Sequence, residues 1–145
     1  MPNRPESDYV VQEHPQKTSL TATDVDSANG ADTGWVQMTV RFLATKDHLG
    51  STHSVFGHSV MPPGSRHETH RHPHAEETIF MLQGQGVYRI GDDWVAMKAG
   101  DVALVPPDVP HGFWNTHDTE DVVMVWTYSG ANSLDDAGYV HVPDA

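Results

Sequence analysis

The chain contains no cysteine. Disulfides are therefore excluded, and so is any thiolate-bound metal, which leaves nitrogen and oxygen as the only ligand types for an ion. Basic residues are scarce, with 8 Lys and Arg against 20 Asp and Glu, a formal net charge of -12. Such a surface repels phosphate backbones and anionic bilayers, which argues against nucleic acid and membrane partners. No apolar run has the length needed to span a bilayer, and the opening MPNRPESDYVVQEHPQ lacks the basic-then-apolar pattern of a secretory signal. A cytoplasmic protein is the expectation. Sustained apolar spacing of three and four is also missing, so amphipathic helices are not predicted.

What is present points to strands. A length of 145 residues suits one domain. From Trp35 onward the runs WVQMTVRFLAT, STHSVFGHSVM, ETIFML, GVYRI, WVAM, DVALVP and VVMVWTY are rich in Val, Thr and aromatic residues. Gly, Pro and Asp separate them at short intervals, as in PPGS, LQGQG, KAGD and VPPDVP, and IGDD predicts a tight hairpin around Asp92. The fold class is all-β, a sandwich or barrel. Residues 1–34 are predicted as a polar N-terminal arm with one short strand over Tyr9 to Gln12. Residues 35–128 are predicted as the β domain and residues 129–145 as a polar C-terminal tail.

Four histidines crowd into HETHRHPHAEE, from His67 to Glu77. Side chains at i and i+2 of a strand share a face, so His70 and His72 present two imidazoles side by side and supply half a metal site. A carboxylate past the following turn, Glu76 or Glu77, can provide a third ligand, and His111 after VPPDVP a fourth. His14, His48, His53, His117 and His141 stand in polar or terminal surroundings and are expected to be solvated or structural. His58 could face either the core or a cavity.

The spacing Gly64, His70, His72, Glu77, Gly84, followed by Gly100, Pro106, His111, Asn115, resembles the two sequence motifs of the cupins. Asp108 stands where that family usually has Gly, and Asp tolerates the left-handed backbone better than most residues. The resemblance implies a jelly-roll β-sandwich or barrel, in which His70, His72, Glu77 and His111 hold one divalent metal ion. Glu77 rather than Glu76 fits the distance to Gly84. His74, which prolongs the pattern to HRHPH, is the alternative fourth ligand, although Pro73 is expected to break the strand before it.

If these ligands point inward, alternation adds Ile79 and Met81 to the face of Glu77 and Phe113 to that of His111, making an apolar substrate pocket. One alternate set from VVMVWTY joins them, either Val122, Met124 and Trp126 or Val123, Val125 and Thr127. Trp35, Met38, Phe42 and Phe56 are further candidates. Arg66, Arg71 and Arg89 are too scattered for a phosphate clamp and are read as solvated surface charge. The segment RHETHRHPHAEE is similar to small bacterial cupins that cyclise aromatic polyketides, including the resistomycin type. That resemblance implies an aldol-type cyclisation of a poly-β-ketone, a largely apolar ketonic or aromatic substrate, with His67 and His74 as candidate bases. Zinc is favoured because no redox change is needed, with Fe(II), Mn(II) or Ni(II) as other options. The same ligands around Fe(II) would suit a dioxygenase of a small aromatic or diketone substrate, and a non-catalytic small-molecule-binding module is the third option. Resemblance also implies a homodimer.

Overall fold

Eleven strands, one short α-helix and a single 3-10 turn at Leu20–Ala22 follow from this alternating sequence in the computed structural model, which describes residues 11, 13–26 and 33–143. The strands are β1 (Trp35–Val36), β2 (Thr39–Ala44), β3 (Ser54–Met61), β4 (Arg66–Arg71), β5 (Glu76–Gln83) and β6 (Gln85–Ile90). They continue with β7 (Asp93–Lys98), β8 (Val102–Val105), β9 (His111–Trp114), β10 (Val122–Ser129) and β11 (Val140–His141), with α1 at Leu134–Ala137. One sheet has the order β1-β4-β9-β6-β7, with β11 also on β4, and the other β2-β3-β10-β5-β8. All named pairings are antiparallel, the two-sheet jelly-roll arrangement that closes most of its own edges. No helix among the described residues is long and apolar enough to cross a membrane.

The core lies between the two sheets. On β10 the inward set is Val122, Met124, Trp126 and Tyr128, which settles the choice between the two alternate faces. On β5 it is Glu77, Ile79 and Met81. The outer face of the same sheet exposes Phe56, Phe80, Leu82, Val102 and Leu104. Phe56 is thus not a wall of the cavity: β3 turns Val55, Gly57 and Ser59 inward and leaves Phe56 and His58 on the outside. Phe42 packs against the core edge-on to Trp126, at 5.3 Å between ring centroids.

The hairpin at Gly91 and Asp92 closes as predicted, with Ile90 opposite Asp93 and Gly91 at φ 60°. The strand expected over Tyr9 to Gln12 falls, apart from Val11, outside the described residues, and Val11 is in no strand. The segment after Ser129 carries α1 and β11. The Ser133 side chain accepts from the Asp136 N–H at 2.9 Å and Gly138 takes the left-handed φ of 80° at the other end, the usual chemistry of helix caps. β1 and β11 then share one edge of β4, β1 opposite Arg66 and His67, β11 opposite His70 and Arg71.

Candidate metal centre

The ligand-bearing segments converge because of the turns around them. His70 lies in β4, where the pairing with β9 shifts register between His67 and His70, and sits opposite His111. His72 follows the end of β4. Next to it the Asp108 N–H donates to the His72 carbonyl at 2.9 Å, while the Asp108 carboxylate accepts from Arg71 at 2.7 Å. Asp108 has φ 65°, so the residue that replaces a glycine does occupy the left-handed region. That turn leads β9 in and points His111 at β5. Asn115 is a brace rather than a ligand: its amide donates to the Met61 and Glu120 carbonyls at 2.8 and 2.9 Å.

His70 and His72 are 1% exposed, His111 2% and Glu77 7%, and one ligand atom from each lies within 4.8 Å of the others. The hydrogen bonds fix which atoms these are. His70 Nδ1 lies 2.7 Å from the Glu68 carbonyl, His72 Nδ1 2.8 Å from that of Gly138, and His111 Nδ1 2.9 Å from that of Val109. A carbonyl oxygen only accepts, so each Nδ1 carries a proton and Nε2 is the nitrogen that each ring turns toward the other ligand atoms. Outer hydrogen bonds of this kind are what orient imidazoles around an ion. The Nε2 atoms of His70 and His72 are buried with no hydrogen-bond partner among the described residues, a costly arrangement unless something electrophilic meets them. Glu77 Oε2 stands 2.6 Å from His111 Nε2 and 3.6 Å from His72 Nε2. With His111 Nδ1 already protonated, a proton is shared across the shorter contact, and a divalent cation can replace it. The donor set of three imidazoles and one carboxylate therefore fits one ion.

His74 is not part of this group. Pro73 ends the strand, the His74 N–H donates to the Ala137 carbonyl at 2.9 Å, and the side chain is exposed. It belongs neither to the ligand cluster nor to the cavity wall. Glu76 begins β5 on the opposite face from Glu77. His67 does reach the site, stacked on His70 at 3.7 Å and 12°. Ile79 and Phe113 line the adjoining cavity with Trp35, Met38 and Trp126. Met81, though fully buried on the same face, does not; it lies further along β5 in the core beside Met124. The cavity volume is about 30 Å³, room for a water or two. Tyr88, Tyr128 and Tyr139 were not singled out by the sequence, because their approach to the site depends on long-range pairing. Tyr88 and Tyr128 line the cavity, and Tyr139 stacks over His70 at 5.1 Å.

Electrostatics in the metal-free protein follow from burial and from the Glu77–His111 contact. Burial holds His67 and His70 well below the ordinary histidine pKa, helped by the neighbouring imidazoles, and lowers His72 as well despite Glu77. Burial pulls His111 down, but the Glu77 charge and hydrogen bond outweigh it and the net shift is upward. For Glu77 burial acts upward, and His111 and His72 reverse it to a net lowering. The raised His111 contributes stability that is present below the unfolded value of 6.5 and lost as pH rises through its folded pKa. Three lowered histidines act oppositely: below 6.5 the unfolded chain binds protons that the folded chain refuses. Glu77 adds a further loss below 4.5. Stability of the chelator-treated protein should peak near the histidine value and fall on the acid side with uptake of more than one proton, each worth about 1.4 kcal/mol per pH unit. Urea midpoints measured across pH would show it, and a flat profile on the acid side would contradict the buried neutral histidines.

The pattern of the Cupin domain family matches residues 57–128. The chain is 36% identical over 81 residues to Protein SchB of Streptomyces halstedii, covering 56% of this chain and 59% of that one. It is 29% identical over 101 residues to Polyketide synthase CurC of Streptomyces cyaneus, covering 70% and 65%. It thus spans about six-tenths of the length of these curated relatives. Among solved structures it is similar to the polyketide cyclase RemF from Streptomyces resistomycificus, with a TM-score of 0.70 and 17% identity over 89% of this chain and 86% of that one, a likeness of fold. With a two-sheet jelly roll, both motifs in order and the matching segment between β3 and β10, the chain belongs to the cupin family.

Proposed function

We propose that this cupin is a metal-dependent polyketide cyclase that closes a ring in a poly-β-ketone by aldol-type condensation. The observation that carries the reading is the convergence of three imidazole Nε2 atoms, those of His70 and His72 without a hydrogen-bond partner, and the Glu77 carboxylate beside a cavity whose walls include Trp35, Met38, Ile79, Phe113 and Trp126. The polyketide names of CurC and RemF support it. In this reading His70, His72, Glu77 and His111 hold one divalent ion, zinc being the best match because the reaction transfers no electrons. The ion, when bound, supplies a Lewis acid for a ketone oxygen.

The chain's own side chains do the rest. The aromatic walls hold a flat ketonic substrate and exclude water, which strengthens every polar contact inside. His67, neutral and at the cavity wall, takes a proton from a CH₂ between two carbonyls. The carbon so activated bonds to a second carbonyl carbon, whose oxygen gains the abstracted proton; that hydroxyl then leaves as water with the remaining hydrogen of the activated carbon, and a C=C bond forms between the two carbons. No oxidant enters the balance. A polyketone far exceeds the cavity volume of about 30 Å³, so binding includes a parting of its walls, of which the two-residue β1 bearing Trp35 is the shortest element.

Metal analysis of the purified protein and turnover of a linear poly-β-ketone test this. The expected result is one ion per chain, ring closure in the absence of oxygen, loss on chelation and recovery with zinc. Activity that requires oxygen and returns only with iron would replace the cyclase by a dioxygenase.

A further inference from the structure

His70, His72 and His111 turn Nε2 toward one another; His67, stacked on His70, does not. The Tyr139 hydroxyl donates to the Thr33 carbonyl, which commits its single proton. The same oxygen lies 3.1 Å from His67 Nε2, so across that contact it can only accept. His67 Nε2 therefore carries hydrogen, and the bare nitrogen of its neutral ring is Nδ1. That is the opposite tautomer from His70, His72 and His111, whose Nδ1 atoms face backbone carbonyls. It follows that His67 cannot offer Nε2 to an ion, although its ring stacks on His70 and lines the same cavity.

We propose that Tyr139 is a positioning residue which, anchored on the Thr33 carbonyl, locks His67 in the Nε2–H tautomer, keeping it out of the metal sphere and leaving Nδ1 as the proton acceptor. The proton-acceptor half rests on the cyclase reading; the tautomer half does not. The lock is built from three separate parts of the chain. Thr33 precedes β1, Tyr139 precedes β11, and His67 lies on β4 opposite Trp35 of β1. The phenol ring is held independently of its hydroxyl, stacked on His67 at 5.9 Å and 15° and on His70 at 5.1 Å and 22°. Tyr139→Phe should thus keep the packing and remove the oxygen alone.

The test uses the full chain, zinc-loaded and labelled with ¹⁵N-histidine, and a long-range proton–nitrogen correlation in which the His67 signal is assigned by its loss in His67→Gln. In the wild type His67 should show protonated Nε2 and bare Nδ1, with His70, His72 and His111 reversed. In Tyr139→Phe the His67 pattern should move to the other tautomer or a mixture, at unchanged zinc content. With a poly-β-ketone, Tyr139→Phe should lower kcat roughly tenfold to a hundredfold, the usual range for an outer partner of a site. KM should stay near the wild-type value, and adding Tyr139→Phe to His67→Gln should cause no further loss. A wild-type His67 protonated at Nδ1, or a Tyr139→Phe spectrum unchanged from wild type, overturns the lock. An altered tautomer with unchanged kcat overturns the role of His67 as acceptor. The predicted spectra without turnover by any protein, wild type included, support the lock and overturn the cyclase reading instead.

Discussion

Replacing His111 by Ala is expected to abolish metal binding and to destabilise the protein by roughly 3–5 kcal/mol even with no metal present, because it leaves a buried carboxylate without its partner. The cause lies in the 2.6 Å contact between His111 Nε2 and a Glu77 side chain that is 8% exposed. In the metal-loaded protein a second loss is added, since an ion present at a hundred times its Kd stabilises the fold by about 2.7 kcal/mol. Glu77→Gln should be milder in the metal-free protein, because it removes the charge and keeps a polar group opposite His111. Combining Glu77→Gln with His111→Ala should recover part of the stability lost by His111→Ala alone. Elemental analysis and thermal unfolding with zinc or chelator would read all of this. Full metal content in His111→Ala would show that the ligand set is wrong, and the exposed His74 offers no substitute.

Gly84→Ala is expected to harm the fold severely although it adds a single carbon. Gly84 has φ 88°, and a Cβ there would lie 2.5 Å from the Asp121 carbonyl oxygen and 3.0 Å from Val122. Both obstacles belong to the chain entering β10, where Val122 is fully buried and cannot yield as a surface side chain would. Left-handed strain of about 1–2 kcal/mol and overpacking of about 1–3 kcal/mol add to a large share of an ordinary domain's stability. Gly64 and Gly100 make a control from the same motifs: they have φ 80° and 95° but nothing within 4 Å of a Cβ. Alanine there should incur the backbone strain alone. Denaturant midpoints for the three variants should rank Gly84→Ala clearly lowest, and equal losses would show that the clash with Asp121 is not what the position guards against.

These contrasts explain what the sequence made legible. His70, His72, Glu77 and His111 could be picked out because their distances to Gly64, Gly84 and Gly100 are set by turns, and turn chemistry is local. Asp108 was readable for the same reason: its left-handed backbone is a property of one residue. His74 lay one alternation step beyond His72, and only the exit turn at Pro73 decides that it faces solvent. Met81 followed Ile79 correctly onto the inner face but missed the cavity, since alternation gives a face and not a depth. Phe56 was too apolar to suggest the outside, yet an exposed sheet face took it. Tyr139 was the larger omission. SGANSLDDAGYVHVPDA looks polar in composition, though Ser133, Asp135, Asp136 and Gly138 spell out both ends of a short helix and YVHV alternates like a strand. Its pairing with β4 joins residues some 70 positions apart, as in Val140 opposite Arg71, and no local signal carries that.

On the ribosome all four ligand residues emerge before β10 does. Val122–Ser129 pairs with β3 on one side and β5 on the other, so until it arrives those two strands face each other across a missing ladder. The nascent chain at that stage displays His70, His72, Glu77 and His111 without the Met124, Trp126 and Tyr128 wall that shuts water out. Pairings this distant in sequence form slowly, and open strand edges are the places where unfinished β-proteins aggregate. On the proposed reading, selective loading of the site with an ion therefore waits until the strand that completes the sheet has slid into place.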